Sequence, residues 1–222
     1  VDNWAPVEMM ERQYPEKQIL PTYPMTNHQS FEENGYLFVP GMVTNPEMLF
    51  SPVPEERGQI NYLGKNKSNY ESEEKQVQGS LSRYNFPAYK ELHFLVKKEV
   101  EDTLGIELYP TYYFDRFYFT GQGLKRHSDR PSCEVSVTMN ISGDAKWPIK
   151  LKDLTGKRRE VVTPAGDGLA YLGTIVPHWR SPLRTHKNDS FMQLFLHYVR
   201  KNGPYAEYAY DKSQKCYDLL NS

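Results

Sequence analysis

The stretch Cys133-Glu134-Val135-Ser136-Val137-Thr138-Met139-Asn140-Ile141-Ser142 decides the fold. Val135, Val137, Met139 and Ile141 alternate with Ser136, Thr138 and Asn140, the period of two expected of a β-strand. Turned inward, the polar set would line a wet pocket; turned outward, it would be plain surface. The same texture continues on either side. Glu107–Phe119 is rich in Tyr and Phe, and Pro148–Leu151 and Arg159–Val162 flank a predicted hairpin turn at Lys152–Lys157. Pro164-Ala165-Gly166-Asp167-Gly168 has turn chemistry, and Leu169–Gly173 and Phe191–Val199 read as further strands. Short strands at this spacing predict an all-β sandwich or barrel over residues 105–200, with no internal repeat.

Outside that core the pattern changes. Residues 1–30 hold scattered Pro and Met without a period and are expected to wrap over the domain. Phe31–Pro40 reads as a helix end, a Gly35 stop and a strand. Residues 51–80 are polar and charged and predict a long surface loop, with a lid over a binding site as the alternative. From Pro87 to Leu104, Leu92, Leu95, Val96, Val100 and Leu104 recur at helical spacing, with Gly105 just past the end, so a helix packed on a sheet is expected. Residues 201–222 form a polar, Tyr-containing tail with room for a final helix.

Length and composition bound the function. The 222 residues suit one domain spanning 1–222. With 27 basic against 28 acidic residues, the net charge of -1 does not call for nucleic acid or an anionic membrane as partner. The two cysteines, Cys133 and Cys216, make neither a disulfide framework nor a metal spacing, which points to a reducing, cytoplasmic compartment. No early apolar run resembles a signal peptide, and no stretch approaches the roughly 20 apolar residues that span a bilayer.

His127-Ser128-Asp129 carries the chemistry. It follows the turn Gly121-Gln122-Gly123 and stands just before the alternating strand. His178 follows the turn and strand Gly166–Gly173 and precedes the strand 191–199. In an extended segment residues i and i+2 share a face, so His127 and Asp129 can reach one metal if His178 comes from a strand brought alongside. Two imidazoles and a carboxylate cap one face of a divalent metal and leave other positions open, a set that suits Fe(II), and no thiolate favours zinc.

With these motifs the chain resembles the Fe(II)/2-oxoglutarate-dependent dioxygenases of the prolyl-4-hydroxylase-like and phytanoyl-CoA-dioxygenase-like types. The matching residues are Arg126-His127-Ser128-Asp129, Gly166-Asp167 before Leu169–Leu172, Pro177-His178-Trp179-Arg180 and Gln193–Tyr198, with Asn34–Pro40 as the opening. The resemblance covers about residues 30–200. It implies a mainly β double-stranded β-helix, a cupin-like jelly roll buttressed by α-helices. It further implies Fe(II) held by His127, Asp129 and His178, with 2-oxoglutarate and O2 as cosubstrates and ascorbate as a reductant. The implied activity is a hydroxylase acting on a small-molecule or peptide substrate, peptidyl proline among them.

In such relatives a basic residue on or near the strand after the distal histidine grips the far carboxylate of 2-oxoglutarate, a role that suits arginine. Arg180, Arg184 and Lys187 are the candidates, with Arg180 preferred because it lies two residues beyond His178 and so points the same way. Tyr118 stands where relatives place a tyrosine that hydrogen-bonds the cosubstrate. Trp179 reads as packing and His197 as an ordinary sheet histidine. Two rival readings stay open: a cupin-like metal- or ligand-binding protein without oxygenase activity, and a nucleic-acid demethylase. The second would need Lys146, Lys150, Lys152, Lys157, Arg158 and Arg159 to form a groove with stacking aromatics; such charge runs are usually solvated faces.

Overall fold

The computed structural model describes residues 25–222 apart from 54, 56, 65–69, 72, 144 and 187–188. Most of the expected N-terminal wrap lies outside the described residues. Helix α1 (Asn27–Asn34) opens with a capping box between Thr26 and Gln29 and ends at Gly35, whose φ of 77° suits a residue without a Cβ. Then come β1 (Tyr36–Val39), β2 (Gly58–Asn61), β3 (Tyr70–Glu71), β4 (Leu81–Tyr84) and α2 (Lys90–Leu104). The rest is β5 (Leu108–Phe119), β6 (Leu124–His127), β7 (Val135–Ser142), β8 (Ile149–Lys152), β9 (Arg158–Val161), β10 (Gly168–Leu172), β11 (His178–Arg180), β12 (Ser190–Arg200) and α3 (Gln214–Asn221). Among the described residues no helix is long and apolar enough to cross a membrane.

From β5 onward the chain shuttles between two sheets. The larger is ordered β1-β10-β7-β12-β5-β4-β2-β3 and the smaller β6-β11-β8-β9. The four strands β10-β7-β12-β5 opposite β6-β11-β8-β9 make the double-stranded β-helix, with β1 added at one edge and β4-β2-β3 at the other. Every pairing is antiparallel except β2 with β4. The stretch 51–80, expected as a surface loop or lid, thus contributes β2 and β3 to the sheet, and it also sends Glu74 into the interior at 2% exposure.

Both faces of β7 are buried, which is why its alternation alone left the direction open. Val135, Val137, Met139 and Ile141 join the apolar core. Ser136 and Thr138 face the bowl between the sheets, where Ser136 pairs in register with His197 and Thr138 with Phe195 of β12. Tyr112, Phe114, Arg116 and Tyr118 of β5 point into the same bowl, since successive side chains of a strand alternate faces.

Helix α2 buries Val96, Val100 and Leu104. Leu95, expected on the apolar stripe, is 66% exposed. Adjacent helical residues point about 100° apart, so a face that buries Val96 and Val100 turns Leu95 to solvent. His93 is buried in its place. It donates from Nε2 to the His197 carbonyl at 3.1 Å and stacks on Tyr198 at 4.7 Å. Burial of this ring pushes its pKa down to about 3. The C-terminal tail does end in a helix, and Cys216 and Leu220 of α3 are buried.

Candidate metal centre and cosubstrate pocket

β6 and β11 lie side by side with His127 opposite His178, so two residues 51 positions apart in the chain meet across a sheet pairing. Their rings are 4.3 Å apart. Asp129 lies just past the end of β6, and its backbone N–H donates to the Gly173 carbonyl at 2.8 Å. The loop after β10, rather than continuation of β6, therefore sets the carboxylate. Asp129 Oδ1 is 3.3 Å from His127 Nε2 and 3.6 Å from His178 Nε2, and the three ligand atoms lie within 4.8 Å of one another.

The two imidazoles are set up for coordination. His127 Nδ1 is 2.9 Å from the Lys125 carbonyl and His178 Nδ1 is 3.0 Å from the Val176 carbonyl. A carbonyl only accepts, so each Nδ1 carries a proton, and in the neutral form of either ring the lone pair would be on Nε2, the nitrogen beside Asp129. Burial lowers the pKa of His178. Burial also works against a charged His127, but the Asp129 carboxylate and the Lys125 carbonyl outweigh it and raise its pKa. For Asp129, burial favours the neutral acid, yet His127 and His178 prevail and the carboxyl sits below its usual range.

The other oxygen of Asp129 is already used. Oδ2 accepts from Ser136 Oγ at 3.1 Å, and Ser136 Oγ is 2.9 Å from His197 Nδ1. Gly173 packs so closely that a Cβ there would run into Asp129 Oδ2, the Cys133 carbonyl and Ser136 Oγ. His197, expected to be an ordinary sheet histidine, thus belongs to the chain of contacts that holds the carboxylate. A second cluster, Asp129 with Cys133 and His197, is also close enough to chelate. Burial drives the Cys133 thiol far above its ordinary pKa, so it stays protonated and is a poor metal ligand.

A cavity of about 210 Å³ opens on these groups. Its walls include Tyr84, Tyr112, Phe114 and Phe195, whose rings form a stacked shelf with neighbouring centroids 4.6–6.2 Å apart. Side-chain exposure runs from 26% at His127 through 13% at Asp129 to 3% at His178, so solvent reaches the site from the His127 side.

Arg180 lies deeper, on the same face of β11 as His178 and 3% exposed. Its Nη1 donates to the Trp147 carbonyl at 2.7 Å and its Nη2 to Gln193 Oε1 at 3.1 Å, and the guanidinium lies over the Trp147 ring at 4.7 Å. Among the described residues no carboxylate pairs with it, and burial lowers its pKa to about 10. Its Nε, Gln193 Nε2, Asn140 Oδ1 and His197 Nε2 are buried polar atoms of the bowl without a protein partner. Such atoms are costly unless something polar meets them. Tyr118 is fully buried, and its hydroxyl accepts from Arg116 Nη1 at 3.2 Å, which leaves its own proton to donate. Neither Arg180 nor Tyr118 lines the 210 Å³ cavity itself, and Arg184, exposed on the loop after β11, does not line it either. Lys187 lies outside the described residues.

Sequence reasoning missed Arg116, Glu74 and Gln76. Arg116 Nη2 meets Glu74 Oε1 at 2.8 Å in a buried ion pair, and Gln76 Nε2 is 3.1 Å from His127 Nε2. The one legible signal was Arg116 itself, a charge at an inward position of an aromatic strand.

No family model matches the chain, and no curated protein matches its sequence. Solved structures do match its fold. A prolyl-4-hydroxylase from Pseudomonas putida superposes with a TM-score of 0.55 at 14% identity, over 78% of this chain and 96% of that one. HygX from Streptomyces hygroscopicus, solved with nickel and 2-oxoglutarate bound, gives 0.55 at 12% identity over 76% and 84%. SnoN, an α-ketoglutarate-dependent epimerase of nogalamycin biosynthesis, gives 0.56 at 11% identity over 76% and 77%. The fold of this chain is therefore the one used by 2-oxoglutarate oxygenases.

Proposed function

We propose that this chain is an Fe(II)- and 2-oxoglutarate-dependent oxygenase that hydroxylates a small-molecule or peptide substrate. One observation carries the reading: a metal-sized His127–Asp129–His178 cluster stands two residues along the same strand face from a buried, unpaired Arg180. A cation left without its counter-charge in the interior is strongly disfavoured unless an anion arrives to match it. The far carboxylate of 2-oxoglutarate is such an anion, and a guanidinium suits it.

In this reading His127, Asp129 and His178 hold Fe(II), and Arg180 grips the cosubstrate with a proton donated by Tyr118. When bound, the metal with 2-oxoglutarate and O2 would supply the oxidising chemistry that converts C–H to C–OH as 2-oxoglutarate becomes succinate and CO2. The chain's own part is positional. Lys125 and Val176 keep both imidazole protons on Nδ1, Ser136 and Gly173 fix the carboxylate, and the Tyr84–Tyr112–Phe114–Phe195 shelf keeps water from one wall. Arg184, exposed on the loop after β11, lacks the burial that makes the charge of Arg180 call for an anion.

The test is succinate release with Fe(II), ascorbate and 2-oxoglutarate. Asp129→Ala should bring it to background, and full turnover in that variant would overturn the assignment. Metal binding without any succinate in the unmodified protein would favour a cupin-like binding protein instead.

A further inference from the structure

We propose that Gln76 is the residue through which the mouth of this site selects its substrate, and that the group it selects is uncharged, carried on a flat apolar body. The proposal rests on the oxygenase reading above and names the substrate class for it. Residues 74–77 cross the open side of the bowl as a strap. Glu74 holds the strap down: Oε1 pairs with Arg116, while Oε2 accepts from the backbone N–H of Gln76 at 3.1 Å and of Val77 at 2.5 Å. The backbone at Gln76 is thereby anchored, and its exposed carboxamide lies 3.1 Å from His127 Nε2 at the solvent side of the cavity, where a metal taking that lone pair would release it to an incoming group. A substrate approaching the metal ligands from solvent passes this group first.

The chemistry of the selected group follows from charge matching. Two arginines line this cavity, and each is matched within the protein: Arg116 by Glu74, and Arg130 by Asp211. Among the described residues, the cavity mouth thus offers an incoming substrate a carboxamide, with one donor side and one acceptor side, and no uncommitted arginine. An anionic group would find no spare guanidinium there. A cationic one would find Glu74 and Asp211 already committed to the same two pairs. An uncharged hydrogen-bonding group loses least by leaving water for this position. The rest of the substrate would lie on the stacked shelf of Tyr84, Tyr112, Phe114 and Phe195, which favours a planar or ring-bearing body.

The experiment uses the full chain loaded with Ni(II) and 2-oxoglutarate and three probes of one body: N-acetyl-phenylalaninamide, N-acetyl-phenylalanine and phenylalaninamide, which are neutral, anionic and cationic. Binding is read by ligand-detected NMR, so catalysis is not required. The neutral probe should bind at least about fivefold tighter than either charged one, and Gln76→Ala, an exposed change, should erase that preference. Glu74→Gln keeps an acceptor for the strap but removes the carboxylate that matches Arg116, so preference should move toward the anionic probe. Preference for a charged probe in the unmodified protein, an unchanged ranking in Gln76→Ala, or no binding of any probe at millimolar concentration would each overturn the proposal. Ni(II) uptake is measured alongside. If Asp129→Ala still takes up Ni(II) as well as the unmodified chain, the underlying metal assignment has failed rather than the role of Gln76.

Discussion

Two buried arginines face the same bowl, and they differ in one respect. Arg116 on β5 is 1% exposed and paired with Glu74; Arg180 on β11 is 3% exposed and paired with no carboxylate among the described residues. Their acidities diverge accordingly. Burial works against the charge on both, but Tyr118 and Glu74 beside Arg116 reverse the effect and raise its pKa, whereas Arg180 falls to about 10. A guanidinium matched inside the fold ties two segments together. In the proposed function, a guanidinium left unmatched would hold a place for an anion from outside.

The sharpest way to break the comparison is to remove each charge in turn. Arg116→Met would leave Glu74 buried and unpaired and should cost about 3–5 kcal/mol of stability in a urea titration. Arg180→Met should cost little stability, because it removes an uncompensated cation. It should instead raise the apparent KM for 2-oxoglutarate by about 30-fold or more, in line with about 2 kcal/mol or more for a lost charge-assisted contact. Equal stability losses in the two variants would show that the distinction is false.

A second test concerns burial rather than pairing. His93 has its pKa depressed from 6.5 to about 3 by burial, so the unfolded chain binds the proton more readily than the folded one. The stability tied to this ring is therefore complete above pH 6.5 and is lost as pH falls from there toward 3. At pH 5 the loss should be on the order of 2 kcal/mol, or a Tm lower by roughly 4–8 °C, and His93→Gln should flatten that part of the profile. The smallest effect sharpens the contrast from the other side. Arg184→Ala, on an exposed loop, should change the KM for 2-oxoglutarate by less than about twofold, as surface changes usually do.

Much of this molecule could be read from its residues because the informative patterns are local. Alternation marks β7, helical spacing marks α2, and the turns bracket β10 and β11. The pairing of His127 with His178 then follows from two strand ends meeting in one sheet. What escaped is what depends on contacts between distant segments. Nothing in the polar run around Glu74 signals that one of its charges is buried against β5. The alternation of β12 assigns His197 to a face but not to the inner one, since both faces of that sheet are covered. Leu95 shows the converse: its apolar side chain fits the helical pattern, but the burial of neighbouring Val96 turns it to solvent.

Asp129 Oδ2 accepts from the Ser136 hydroxyl and lies where a Cβ at residue 173 would fall. If the cluster holds a metal, that hydrogen bond leaves Oδ1, the oxygen nearest both imidazoles, to serve it. The aim of the carboxylate thus depends on a hydrogen atom at residue 173 where every other amino acid would put carbon.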